Sequence, residues 1–467
     1  MPIINWLHQH VNATVLLAIG LTAVLEACVF LPYGFLVLPL FLIAVFIFLP
    51  INMEKFTTII SFAILFSGFF GSYLGIPGNE NIFLFRILIP IHLILFLFFV
   101  KKDWLRLSYV KTLLCLFIAF FIGMMATGFW APQLGESFRY FYFIFEWLYV
   151  IFLCVYYIRN ERTYALYTKG LMVLYIVILF IGIWECLTGH HLSQSGSLFY
   201  ETTTSAFQPT GFQFNTNDFA SLLTILFPIV IMQMTTWSKK WMMISGILAT
   251  STLTLYLVIM TNSRLAMLVL ALEIFVLLFG WSKIWSFLAV YVFGMGALLV
   301  STFHSSGFIQ KLIGMVTNSF TEKGASTTDR MQMYQASWNM IKESHFMGIG
   351  AGNLPIRLDE YMYGFQRISD NYWAPHNYWL EALANGGLLA FLPLLAFFIG
   401  YFIFAIRYWM KEKYSATSAI PLLIGIAFVA ASIGLSSTID KRHLSLGLGI
   451  GIAILNIRYL QKGRLEK

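Results

Sequence analysis

Apolar stretches of about 18 or more residues recur along this chain from one end to the other, and each is long enough to cross a bilayer as a helix. None of them alternates as a membrane barrel strand would, so helices are the structures that can satisfy their own backbone in lipid. The composition agrees: 59% of the 467 residues are hydrophobic and 11% charged, against roughly 45–50% and 25% in ordinary soluble domains. The chain reads as an all-α polytopic membrane protein. Spans are expected near 12–31, 33–50, 56–75, 82–100, 111–129, 138–158, 169–188, 215–236, 241–261, 264–280, 284–303, 377–406, 417–436 and 443–459, about 12–14 in all, the first two being close enough together to form a re-entrant pair.

The net charge of +8 does not point to nucleic acid, because the basic residues gather in short loops between apolar runs. They fall at 101–111, 159–169, 238–240, 407–413 and 458–467. By the positive-inside rule all of these loops are cytoplasmic, and an even span count then puts both ends of the chain there too. The first apolar run lacks a basic start and a small-residue cleavage site, so it reads as an uncleaved span. Cys28, Cys115, Cys154 and Cys186 lie in or beside spans without metal-ligand spacing and read as small buried apolar residues.

Two outside segments break the rhythm of short loops. One runs over 189–214, the other over 304–376, and loops of such length usually carry function or disorder. The second contains "TTDRMQMYQASWNMIKESHFMGIGAGN" (327–353), where Asp329 and the threonines before it supply helix-capping chemistry. Met331, Tyr334, Trp338, Ile341 and His345 then share one helical face. The glycines at 348, 350 and 352 end the helix and only imitate a dinucleotide fingerprint, which would follow a strand. A partly helical lid on the outer face is expected.

The polar residues that need explaining sit at that same boundary. Arg264 follows one apolar run and opens another; Arg330 opens the loop helix; His376 stands where the chain re-enters the membrane. Arg139, Lys441 and Arg442 are placed there as well. Arginine offers a planar fork suited to phosphate oxygens, and two around one pocket would hold a diphosphate. A histidine beside them can take a proton from an attacking hydroxyl. Each has a plainer reading: boundary arginines most often snorkel to headgroups, and His376 can cap the next helix. Glu26, Glu146, Glu185, Asp218 and Glu273 lie in or near spans, as ion sites or as partners for arginines. Neither an Asp-x-Asp motif nor a His/Asp/Glu cluster with metal-ligand spacing is present, which disfavours a metal-dependent sugar transferase.

"TNSRLAMLVL", the loop helix with its glycines, and "HNYWLEALANGGLLAFL" resemble, in order, signature blocks of the O-antigen ligase and polymerase superfamily. "QPTGFQFNTNDFASLL" (208–223) is similar to that family's Thr-Gly and Asn-x-Asn block. The resemblance covers roughly residues 200–400, and the span count exceeds the family's usual twelve or so. It implies metal-independent glycosyl transfer, without a cofactor, on the extracytoplasmic face of the bacterial cytoplasmic membrane, from a glycan on undecaprenyl diphosphate to a glycan or lipid-linked acceptor. Arg264 and Arg330 would contact the diphosphate and His376 would activate the acceptor hydroxyl, with inversion. Asn217, Asp218 and Asn377 would contact glycan or support the site; apart from the resemblance, the boundary placement of Arg139, Lys441 and Arg442 marks them as candidates for binding substrate. Residues 201–410 form the expected core, flanked by a bundle over 1–200 and closing helices over 411–467. The blocks do not separate a polymerase from a ligase, though polymerase is preferred. From another class, a transporter or lipid-linked glycan flippase would show repeats with midplane sites, and no repeat is visible.

Overall fold

A computed structural model describes residues 52–76, 79–193, 197–203, 205–284, 324–363 and 375–465, with isolated positions between 20 and 40 and between 286 and 291. The expected spans near 12–31, 33–50 and 284–303 fall wholly or mostly outside these residues. The described chain is a helical membrane bundle. In order it runs α1 (Met53–Ser67), a two-stranded hairpin β1 (Gly75–Ile76) and β2 (Asn79–Phe83), α2 (Leu84–Phe99), α3 (Lys111–Ala126), α4 (Leu134–Tyr157), α5 (Glu161–Thr188) and the short α6 (Ser197–Glu201). It continues with α7 (Thr216–Met234), α8 (Lys240–Met260), α9 (Arg264–Trp281), the loop helices α10 (Gly324–Glu343) and α11 (Leu354–Tyr363), then α12 (Tyr378–Lys411), α13 (Ala416–Gly434) and α14 (Arg442–Leu465). Eight of the described helices are long and apolar enough to cross a membrane: α3, α4, α5, α7, α8, α9, α12 and α13.

Helix α7 is the axis of the bundle. Every residue in it except Asn217 is buried, and it packs on α5, α8, α9, α13 and α14. Outer helices carry their apolar side chains outward instead, as lipid requires: Phe98, Phe180, Leu248, Leu268 and Leu392 are all exposed on the bundle surface. One end of the bundle gathers paired charges, with Arg106 and Arg159 both on Glu54 (3.4 and 3.6 Å) and Arg458 on Glu161 (2.9 Å). The candidate residues lie at the other end.

Several boundaries differ from the sequence reading. The segment expected to span over 56–75 ends as a helix at Ser67, because Gly71 turns the chain at φ 48° and the hairpin follows. The basic stretch after residue 159 is mostly helix, since Asn160 and Thr163 close a capping box at the start of α5. Cys28, Cys154 and Cys186 are buried, but Cys115 is exposed on α3.

The loop helix corrects the register most. It begins at Gly324, so Arg330 lies in its second turn rather than opening it. Its buried face is Met333, Ala336, Ser337, Met340 and Ile341, whereas Met331, Trp338 and His345 are exposed. The small residues Ala336 and Ser337 decide this, because they let α10 approach α12 closely. After α10, Gly348, Gly350 and Gly352 all have positive φ (85°, 102° and 74°). A Cβ on Gly348 would meet Gly387 N at 2.5 Å, and one on Gly352 would meet Glu136 O at 2.6 Å. Residues 346–350 therefore lie backbone to backbone against a break in α12 at Gly387 (φ 58°, ψ −167°). The break leaves groups without helical partners, and the loop supplies them: Leu388 N donates to Phe346 O (2.9 Å) and Ile349 N to Ala384 O (2.9 Å). On the opposite side Trp130 Nε1 donates to Gly348 O (2.8 Å), and Ser137 Oγ to Ala351 O (2.8 Å). The described part of the long loop is thus fastened to the α3–α4 connection, α4 and α12.

Candidate functional site

His376 stands just before α12, held at φ 52°, a conformation uncommon and strained for a non-glycine residue. The next residue explains how the helix starts without it: Asn377 Oδ1 accepts from Trp379 N (3.1 Å) and Leu380 N (3.2 Å). The cap therefore belongs to Asn377, whose carbonyl oxygen is occupied by that duty, and the His376 ring is left for something else. Its Nδ1 is buried with no hydrogen-bond partner among the described residues. Burial and the Arg330 guanidinium pull the imidazole down to about 4, against an opposing pull from the Gly434 backbone. Tyr334, one turn after Arg330, reaches the His376 carbonyl oxygen at 3.5 Å.

Gly434 ties this corner to Arg264. It ends α13 and lines a narrow cleft with Ser263, Leu265, Asn217 and Ser221. Arg264 sits between Ser263 and Leu265 as the first residue of α9. Trp379 Nε1 donates to Ser432 Oγ (2.9 Å), fixing the start of α12 against the end of α13. His376, Arg330, Arg264 and Asn217 thus come from four separate elements to one end of the bundle.

Beside this corner, a cavity of about 330 Å³ opens between the α1–α2 connection, α4 and the start of α14. Arg86, Arg139, Lys441 and Arg442 line it, with Asp440 and His443. Glu146, 1% exposed, binds two of them at once: Arg86 Nε lies 2.8 Å from Oε1 and Arg442 Nε 3.1 Å from Oε2. Lys441 Nζ lies 2.9 Å from Asp218 Oδ2 and 3.1 Å from Asp440 Oδ2. Burial alone would lower the Lys441 pKa; the two aspartates raise it above the ordinary lysine value, so the ammonium stays charged. His443 Nε2 meets Ser221 Oγ at 2.8 Å, which joins the cavity wall to the cleft beside Gly434.

The Thr-Gly block has a structural role. Glu185, at the end of α5, accepts from Thr210 N (2.7 Å) and Gly211 N (2.8 Å), and His191 Nδ1 meets Thr210 Oγ1 at 2.9 Å. This clamp sets the entry of α7, where Asn215 caps the helix and Asn217 and Asp218 turn to different sides, the first to the cleft and the second to Lys441.

Residues 249–395 match the family model described as O-Antigen ligase. Over that stretch the chain is similar to the O-antigen ligase family. It is also 26% identical over 420 residues to the teichuronic acid biosynthesis protein TuaE of Bacillus subtilis (strain 168), an alignment covering 85% of this chain and 83% of that protein. The matched stretch takes in Arg264, Arg330 and His376. The residues lining the cavity lie outside it.

The structure sorts the sequence candidates into two groups. Arg264, Arg330, His376, Asn377 and Asn217 lie at the His376 corner; Arg139, Lys441, Arg442 and Asp218 lie at or against the cavity. Arg86 was missed. It interrupts the apolar run "FLFRILIPIHL" in the same way that Arg264 interrupts its own, and that argument would have found it. Glu146 partners Arg86 and Arg442, and Glu185 holds backbone. Glu273 is buried in α9 with neither oxygen hydrogen-bonded among the described residues.

Proposed function

We propose that this protein is a membrane glycosyltransferase of cell-surface polysaccharide biosynthesis, acting on undecaprenyl-diphosphate-linked glycans at the extracytoplasmic face of the cytoplasmic membrane. The observation that carries the reading is the His376 corner, where a neutral, strained histidine faces Arg330 beside the start of α9 inside the stretch similar to the O-antigen ligase family. Arg264 and Arg330 bind the diphosphate. The acceptor hydroxyl oxygen attacks the anomeric carbon, the bond to the diphosphate oxygen breaks, and undecaprenyl diphosphate leaves. The hydroxyl proton passes to His376. Charge growing on the leaving group is met by guanidinium groups already in place, which is where enzymes gain most.

An imidazole with a pKa near 4 is a poor base by itself. The diphosphate offsets part of this, because a dianion on Arg330 cancels the smaller of the two effects that depress the ring, burial being the larger. Substrate binding thus raises the basicity of the ring. Residues 201–410 form the transferring core, and the flanking helices supply the cavity. Repeat-unit polymerisation is the preferred reaction, in keeping with the relative named for teichuronic acid biosynthesis. Purified protein given a lipid-diphosphate-linked repeat unit tests this. Longer glycans on lipid are expected. Movement to a different acceptor without chain growth would make it a ligase, and transport of the donor across proteoliposomes without transfer would overturn the enzyme reading.

A further inference from the structure

A carboxyl in the middle of α9 has no partner to explain it. Glu273 is 0% exposed, and neither of its oxygens has a hydrogen-bond partner among the described residues. Nine residues of helix separate it from Arg264, a rise of about 13 Å, which puts it near the middle of a hydrocarbon core of roughly 30 Å. No positive charge faces it among the described residues. The other ionisable residue of α9 is Arg264, at its first position. Of the helices packed on α9, α13 carries no ionisable side chain, and α7 carries Asp218, which is already on Lys441. The third, α8, carries Tyr256 and Lys240, the lysine being its first residue, at the end of the bundle away from His376. Tyr175 of α5 is within electrostatic reach, its hydroxyl occupied by the Leu223 carbonyl oxygen (3.2 Å) and Thr254 Oγ1 (2.9 Å). A bare carboxylate in such surroundings costs far more than a neutral acid, so the group holds a proton.

The fold also builds a path to it. The narrow cleft beside Gly434 is lined along α7 by Asn217, Ser221 and Thr224, whose spacing puts them on one helical face. Opposite them Ser263, Ala266 and Val269 line it along α9, and the next residue on that face is Glu273. Polar side chains thus lead down α7 from the His376 end and stop one turn short of the carboxyl. At that level Pro228 brings no N–H, which leaves the Thr224 carbonyl without its helical donor. The cleft holds about 20 Å³, room for one water and not for a hydrated metal ion. We propose that Glu273 is a proton-binding site, filled through this cleft from the His376 end of the bundle. Its proton keeps α9 seated against α7 and α13, with Arg264 in place at the end of the same helix. The link to Arg264 as a diphosphate ligand rests on the transferase reading above; the proton site does not.

The test treats the purified full-length protein in lipid nanodiscs with N,N′-dicyclohexylcarbodiimide, an apolar reagent that adds to protonated carboxyls. The acid proton moves to a carbodiimide nitrogen as the carboxyl oxygen bonds the central carbon, and nothing is lost. Peptide mapping is expected to find the adduct on Glu273 and not on Glu146, which is as buried but held by two arginines. Infrared spectra should show a protonated-carboxyl band that shifts in D2O and is missing from Glu273→Gln, a neutral substitute that should unfold within a few degrees of wild type. Inorganic diphosphate serves as the probe of Arg264. On moving to alkaline pH, wild type should lose about fivefold or more affinity for it relative to Glu273→Gln, the low end of ordinary coupling between sites. Loss of the proton charges α9 in wild type and cannot do so in the variant, while the titration of diphosphate itself is common to both. A spectrum without the band would overturn the proton site. So would protection of Glu273 from the reagent by sodium at constant pH, which would assign a metal cation instead. Identical pH dependence of diphosphate binding in the two proteins would overturn the link to Arg264. Failure of both proteins to bind diphosphate, with adduct and band present, would count against the transferase reading and leave the proton site standing.

Discussion

At neutral pH the His376 ring is uncharged in the free protein, since burial and Arg330 both oppose a second positive charge there. A base works only when deprotonated, so rate should fall as pH drops through its pKa. For free protein that limb lies near 4, and kcat/KM should stay flat to about pH 5 on its account. With diphosphate on Arg330 the pKa rises, so the acid limb of kcat should lie at higher pH than that of kcat/KM. Parallel pH–rate profiles would deny the coupling. Removing Arg330 or Arg264 by alanine should cost about ten- to a hundredfold in kcat/KM, the scale of one charged hydrogen bond, measured by initial-rate transfer. At this scale the sequence was readable where a polar residue had no cheap apolar reason to be present, as at Arg264 and His376. Glu146 was read as a possible partner for arginines, but which arginines could not be, because they lie 60 and 296 residues away and only the packing of α2, α4 and α14 brings them to it.

Among the elements, the break in α12 at Gly387 and the glycine loop after α10 form one device. Each supplies the backbone partners the other lacks. Gly387→Ala places a side chain at φ 58° and drives its Cβ to 2.4 Å from Phe346 O. Strain of this kind costs about 1–3 kcal/mol before the clash is counted. Thermal unfolding should fall accordingly, and limited proteolysis should cut at 344–352 in the variant first. Unchanged stability and protease resistance would mean that the loop does not depend on the break. The glycines announced themselves in sequence as a helix end, and that much holds. The buried face of α10 did not, since Met331, Tyr334, Trp338 and Ile341 make as good an apolar stripe as Met333, Ala336, Ser337 and Met340. Close approach to α12 favours the stripe with the smaller side chains, and nothing local encodes that. Long apolar spans were legible because length and hydropathy alone decide them. Their ends were less so: Asn160 and Gly71 act through a capping box and a left-handed turn that periodicity does not register.

The molecule as a whole has two unlike ends. One carries Lys239, Lys240, Lys411 and Lys413 with the ion pairs around Glu54; the other carries His376, the cavity and the fastened loop. By the positive-inside rule we propose that the first faces the cytoplasm. In intact cells, a single cysteine replacing His345 should therefore react with an impermeant maleimide, and one replacing Lys413 should react only after permeabilisation. The reverse pattern would turn the site inward and remove its access to glycans outside. The chemistry proposed for this protein belongs to the end that carries His376. Its most direct measurement is single-turnover transfer from a lipid-diphosphate-linked repeat unit in EDTA, comparing wild type with His376→Ala. The account predicts turnover by the wild type undiminished by the chelator, and a loss of about a hundred- to ten-thousandfold in the variant with donor binding retained. Transfer by His376→Ala near the wild-type rate, or wild-type transfer abolished by EDTA and restored by a divalent metal, would contradict it.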